Sequence, residues 1–146
     1  MKIAIACDHG ALALKEAVKA HLTERGMECV DFGTFTADSC DYPDFARPAA
    51  EVASGACERG IVMCTTGIGV SITANKVHGI RCALLSDPVS ARLTREHNDA
   101  NMMALGAGFV GELLALEIVD TFLDTPFSNG ERHKRRIEKL MAVEQG

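Results

Sequence analysis

Apolar positions along this chain fall into two kinds of segment that alternate from one end to the other. Short, nearly unbroken apolar runs at Lys2–Cys7 (KIAIAC), Glu28–Phe32, Gly60–Cys64 (GIVMC), Ile80–Leu85 and Met102–Leu105 predict strands. Between them lie longer stretches with helical spacing. Ala11–Arg25 sets Leu12, Leu14, Val18 and Leu22 on one face and stops before Gly26, a residue suited to the turn after a helix. Pro43 opens a second helix that runs to about Ser54, with Gly55 behind it. A third helix follows the loop Thr65–Gly69 and reaches about Val77. Asp87 as N-cap and Pro88 at the first helical position start a fourth, which ends at His97. Gly111–Leu123 and, after Pro126 and Gly130, Arg132–Val143 are the last two.

Strand and helix in strict alternation, without repeat or linker, imply one α/β domain over residues 1–146. The expected architecture is Rossmann-like (flavodoxin-like): a five-stranded parallel sheet in the order 2-1-3-4-5, helices on both faces, and a C-terminal helix. Ligands in such sheets sit beyond the C-terminal strand ends, where the order reverses, here between strands one and three. Asp8 and His9 follow the first of these strands, and Cys64 to Gly69 end and follow the other.

Composition narrows the function by exclusion. A formal net charge of -5 argues against nucleic acid or an anionic membrane as partner. No apolar run approaches the length of a bilayer span. The N-terminus offers Lys2 and then only Ile3–Cys7 before Asp8, too little for a signal peptide, so a cytoplasmic protein is expected. The six cysteines form no C-x-x-C pair and match no zinc spacing, which suggests free thiols in a reducing compartment and no metal or cofactor.

Chemistry concentrates in a few stretches. In Cys64-Thr65-Thr66-Gly67-Ile68-Gly69-Val70-Ser71 the glycines permit a tight turn, and the next helix presents unpaired N–H groups to an anion or a developing oxyanion. The Gly-Lys-Ser/Thr element of a P-loop is missing. A thiol at the head of a helix has its pKa lowered from about 8.5, which favours the thiolate nucleophile or base. Asp8 either faces a ligand or caps the first helix. His97-Asn98 ends the fourth helix, where the helix dipole alone favours a histidine. Arg132 and Arg136, spaced i and i+4, share a helix face that fits one phosphate, in a segment (RHKRR) whose positive charge is unfavourable at a helix start.

Taken together, CDHGALALK (Cys7–Lys15), DYPDFA (Asp41–Ala46), CTTGIGVSITANK (Cys64–Lys76), GIRCAL (Gly79–Leu84), HNDAN (His97–Asn101) and RHKRR (Arg132–Arg136) resemble the ribose-5-phosphate isomerase B family, which includes galactose-6-phosphate isomerase subunits. The resemblance covers nearly the whole chain. It implies a metal-free aldose–ketose isomerase that acts on ribose 5-phosphate and ribulose 5-phosphate as a homodimer, with tetramers left open. By the same resemblance Cys64 moves the proton between C1 and C2 with Thr66 beside it, and the amides of Thr65, Thr66, Gly67, Ile68 and Gly69 stabilise the enediolate. Asp8 and His97 open the furanose ring. Asn98 contacts the sugar; His9, Arg132 and Arg136 contact the sugar or its phosphate; Tyr42 and His133 are further contacts. Relatives that lack the cysteine use a glutamate where this chain has Val70. Two departures stand out: Thr65 replaces a common glycine, and Gly108 stands where many members carry a phosphate-binding arginine. An isomerase of a tetrose or hexose phosphate, and a non-catalytic sugar-phosphate-binding subunit, remain open alternatives. The fourth helix starts at the ligand edge of the sheet and runs back, so His97 is expected far from Cys64 of its own chain and close to Cys64 of a partner.

Overall fold

The computed structural model describes all 146 residues, Met1–Gly146. Strand β1 (Lys2–Cys7) passes through a one-turn 3-10 helix (His9–Ala11) into α1 (Leu12–Glu24); then come β2 (Glu28–Asp31), α2 (Pro43–Ala53), β3 (Arg59–Cys64), α3 (Ile68–Asn75), β4 (Cys82–Leu84), α4 (Pro88–Asn98), β5 (Met102–Gly106), α5 (Glu112–Asp124) and α6 (Glu131–Ala142). No helix is long and apolar enough to cross a membrane. Local chemistry explains several boundaries. Gly26 adopts the left-handed conformation (φ +82°) that ends α1. Asp87 accepts the Ser90 N–H at 2.7 Å and so caps α4.

All strand pairs are parallel, and side chains alternate between two cores. Ile3, Ile5, Cys7, Ile61, Met63, Met103 and Leu105 pack against α1, α4 and α5. Ala4, Ala6, Val62, Cys64, Met102 and Ala104 face α2 and α3, where Ala46, Ala49, Ala50 and Ala53 let α2 lie close to the sheet. Helix α6 buries none of its residues and lies outside both layers.

The strand order is β2-β1-β3-β5-β4, so the expected 2-1-3-4-5 is wrong in its last two places. Burial explains the exchange. Every residue of β5 is buried, which demands neighbours on both sides. Strand β4 has only three residues, leaves Leu84 46% exposed, and takes the edge. The crevice between β1 and β3 survives this change. Its third neighbour is now β5, with Gly106 paired to Cys64.

A buried ion pair fixes the end of β1. Lys15 on α1 is wholly buried; its Nζ donates to Asp31 Oδ1 (2.8 Å) and to the Thr34 carbonyl (2.6 Å), and stands 4.4 Å from the centre of the Phe35 ring. Asp31 also accepts from Lys19 (3.1 Å) and from the Gly33 N–H (2.9 Å). Gly33 and Thr34 in turn exchange backbone bonds with Cys7, each 2.7 Å, one residue before Asp8. Burial alone would raise the Asp31 carboxyl, but hydrogen bonds from Lys15, Gly33 and Lys19 outweigh it and hold the group below its ordinary 3.8.

A carboxyl depressed in the folded state stabilises the protein above its unfolded-state value of about 3.9 and loses that contribution as pH falls. Asp31→Ala should therefore cost about 3–5 kcal/mol at neutral pH, because it strands a buried ammonium. Lys15→Met should cost less, since Lys19 and the Gly33 amide still serve Asp31. Denaturant unfolding curves measure both, and the gap between wild type and Asp31→Ala should narrow as pH falls below about 4.

Candidate active site

Strand β3 delivers Cys64, whose side chain is nearly buried, to the sheet's C-terminal edge. The turn that follows needs its glycines. Gly67 has φ +76°, and a Cβ there would lie 2.7 Å from the Leu105 carbonyl carbon; a Cβ at Gly106 would strike the Thr66 carbonyl. With the turn this tight, the Gly67 N–H donates to Cys64 Sγ at 3.1 Å. Thr66 Oγ1 lies 4.0 Å from the same sulfur and accepts the Ile68 N–H at 3.1 Å. The thiol thus sits at the N-terminus of α3, in contact with one of its orphan donors. Of the five amides expected to serve an oxyanion, those of Gly67 and Ile68 are engaged within the loop. The segment just after β5 backs the turn: Ala107 N–H donates to the Cys64 carbonyl (2.9 Å) and Gly108 N–H to that of Thr65 (2.8 Å). Gly108 thus holds the loop through its backbone and brings no charge.

Asp8 lies beside this turn at the end of β1, almost buried. Its Oδ1 accepts the Gly10 N–H at 2.9 Å, so it does cap the 3-10 turn. Gly10 is where the β1 and β3 loops meet, because a Cβ there would collide with Thr65 Oγ1. The Tyr42 ring lies over Gly69, at 2.6 Å from where a Cβ would be. His9 is exposed, and its Nδ1 accepts the Cys40 N–H at 3.2 Å, leaving Nε2 to carry the proton. Cys40 was not singled out by the sequence, although it sits just before the DYPDFA motif. Burial makes two other thiols poor nucleophiles: it pushes Cys7 up to about 11 and Cys82 up to about 12.

The remaining candidates lie elsewhere. His97 and Asn98 close α4 near the start of β5, at the end away from Cys64: the chain needs only residues 99–101 to enter β5, whose last residue pairs with Cys64. About 13 Å of strand separates the two edges. Asn98 is tied there, with its Oδ1 accepting from Thr94 (3.1 Å) and its carbonyl from Arg81 (2.9 Å). His133 of α6 packs its ring on His97, centroids 4.6 Å apart, and Arg132 and Arg136 flank it, exposed. Burial of the ring, then the charges of His97, Arg132 and Arg136, hold His133 below the ordinary histidine range. Its Nδ1 meets Ser128 Oγ at 2.9 Å, a partner that sequence inspection passed over; the only signal was a polar Ser-Asn-Gly turn before RHKRR. One chain therefore carries two clusters: Asp8, His9, Tyr42 and Cys64–Gly69 at one sheet edge, and His97, Asn98, Arg132, His133 and Arg136 at the other.

This geometry can be compared with known proteins. The model of the Ribose/Galactose Isomerase family matches residues 3–140. Ribose-5-phosphate isomerase B of Escherichia coli is 47% identical over 145 residues, 99% of this chain and 97% of the relative. A solved structure of ribose-5-phosphate isomerase B from Clostridium thermocellum superposes with a TM-score of 0.96 at 52% identity, over 99% and 98% of the two chains. The enzyme of that name from Mycoplasma genitalium, solved with ribulose-5-phosphate bound, gives 0.94 at 39% identity, over 99% and 96%. The family match over residues 3–140, the high identities with near-complete coverage of both chains, and the close superposition agree in one conclusion: the chain belongs to the ribose/galactose isomerase family and is an aldose–ketose isomerase.

Proposed function

We propose that this protein interconverts ribose 5-phosphate and ribulose 5-phosphate, with Cys64 as the base. The names of its relatives and the ribulose-5-phosphate held by the Mycoplasma genitalium enzyme support the substrate. The observation that carries the mechanism is the 3.1 Å hydrogen bond from the Gly67 N–H to Cys64 Sγ, which holds the sulfur at the head of α3 beside the loop amides. As base, the thiolate takes the proton from C2 of the aldose and returns it to C1. Negative charge gathers meanwhile on the enediolate oxygens, within reach of Thr66 and of loop amides not already engaged, such as that of Gly69 in the first turn of α3. The Gly67 and Ile68 amides act one step removed, on the sulfur and on Thr66. Ring opening comes first: Asp8 takes the proton of the C1 hydroxyl and His97 protonates the ring oxygen as the C1–O bond breaks. A reducing cytoplasm suits six cysteines of which none is paired.

His97 can serve Cys64 only from another copy. Two-fold pairing that sets the far edge of one protomer against the near edge of its partner completes two sites at once. Exposed apolar residues beside the Cys64 turn support a second copy there: Ile68 and Ile72 on α3, Leu84 on the edge strand, and Val89 on α4. The same pairing brings Arg132 and Arg136 to the substrate as its phosphate clamp, with His9, Tyr42, Asn98 and His133 as further contacts.

Cys64→Ala should lower kcat by about 10³-fold or more while substrate still binds, as read by steady-state kinetics and calorimetry. Substantial turnover in this variant would remove Cys64 from the mechanism. Arg132→Ala and Arg136→Ala should each raise KM about ten- to a hundredfold, the worth of a charge-assisted contact. An unchanged KM in both would put the phosphate elsewhere. Mixing inactive Cys64→Ala and His97→Ala proteins, after dissociation and reassociation, tests the shared site. Random pairing gives one intact site in about half the dimers, so about a quarter of wild-type activity should return. No recovery despite confirmed subunit exchange would show that each chain builds its own site.

A further inference from the structure

Outside the reacting groups, one set of contacts has no part in the chemistry above: the turn before α6. Ser128 N–H reaches the Glu96 carbonyl at 3.4 Å, tying the turn to the last turn of α4, where His97 sits. Ser128 Oγ accepts the Gly130 N–H at 3.2 Å and lies 2.9 Å from His133 Nδ1. Gly130 closes the turn tightly, since a Cβ there would come within 3.2 Å of His133 Nδ1. The His133 ring, held at one end in this way, presents its face to His97.

Two imidazoles packed 4.6 Å apart, tilted by 34°, repel each other when both are charged, so a proton taken by one disfavours a proton on the other. Which ring carries it matters, because a general acid must hold the proton it delivers. We propose that Ser128 is a positioning residue: its hydroxyl donates to His133 Nδ1, fixes His133 as the neutral Nε2–H ring, and so assigns the pair's proton to His97. The bonding supports this direction. One oxygen lone pair of Ser128 already faces the Gly130 amide, and Nδ1 is the acceptor its own proton reaches. Charges around His133 agree: Arg132 and Arg136 on α6 and His97 on α4 oppose a second proton, and Glu96 alone favours it. The first turn of α6 is also a poor place for a cation. His133 Nε2–H is then a donor for the sugar or its phosphate, and His97 the acid.

The inference rests on the proposed ring-opening role of His97, and the test separates the two. Nitrogen-15 NMR of histidine-labelled wild type at neutral pH should report His133 with Nδ1 unprotonated and Nε2 protonated. In Ser128→Ala the same ring should become a mixture of tautomers, with the melting temperature unchanged. Kinetically, Ser128→Ala should lower kcat/KM for ribose 5-phosphate about tenfold, a fraction of the 10²–10⁴ that a positioned acid contributes, and Ser128→Thr should restore it. An Nδ1–H tautomer in wild type, an unaltered tautomer in Ser128→Ala, or an unaltered kcat/KM in that variant would each overturn the proposal. Near-wild-type turnover in His97→Ala would instead overturn the ring-opening role, whatever the tautomer of His133.

Discussion

Everything at the catalytic edge depends on how closely the turn after Cys64 can lie against the end of β5. Gly106 pairs with Cys64 in the sheet, and its missing side chain leaves room for the Thr66 carbonyl. Gly67, in the left-handed region, then rolls the chain into α3 with its N–H facing back at the sulfur. A side chain at either glycine would push the turn outward and separate donor from thiol. The hydrogen bond is one of few in the protein made to a sulfur, and it is bought with backbone freedom at two positions. Larger neighbours would add buried apolar area and cost the Cys64 sulfur its donor.

The strand exchange feeds this contact. With β4 beside β3, a short strand with a half-exposed leucine would have backed the turn. With β5 there, a fully buried strand lies beside it, and the Ala107 and Gly108 amides just beyond that strand hold the turn. Nothing in the apolar spacing of Ile80–Leu85 and Met102–Leu105 distinguishes these neighbours, because period and composition report which strands are buried only after pairing is known. Element positions were legible, as were the caps at Asp87 and Gly26, since each depends on a few adjacent residues. Cys64 and its glycine turn were legible for the same reason. Lys15 was not: among Leu14, Glu16 and Lys19 it reads as an ordinary polar position of a surface helix, and only Asp31 and the Thr34 carbonyl, distant in sequence, make its burial tolerable. Ser128 and Cys40 escaped likewise, their roles being set by histidines on other elements.

Sequence order alone did imply that His97 and Cys64 lie at opposite sheet edges, because a helix that returns from a parallel strand must finish where the next strand begins. What topology could not supply is the company His97 keeps. Helix α6 joins it there, and Arg132, His133 and Arg136 make the far edge a cluster in its own right. On the proposed function, each half-site is chemically incomplete: one has a base and oxyanion donors without an acid, the other an acid and cations without a base.

Charge balance gives a reason for that division. Arg132, Lys134, Arg135 and Arg136 crowd the first turns of a helix, where the dipole disfavours cations, and only Glu131 and Lys134 pair among them, at 3.7 Å. In a chain of net charge -5 this patch is a local exception, left exposed and uncompensated by any buried carboxylate. On the proposed function, a phosphate dianion would relieve this repulsion, so the unfavourable field would become binding energy specific to a phosphorylated ligand. The same field helps hold His133 below the ordinary histidine range. Placing these cations beside Cys64 of their own chain would set them against the same sulfur in every state of the protein, folded monomer included. On the proposed two-fold pairing, carrying them at the opposite edge would confine their effect on the thiol to the dimer, where substrate charge would answer it.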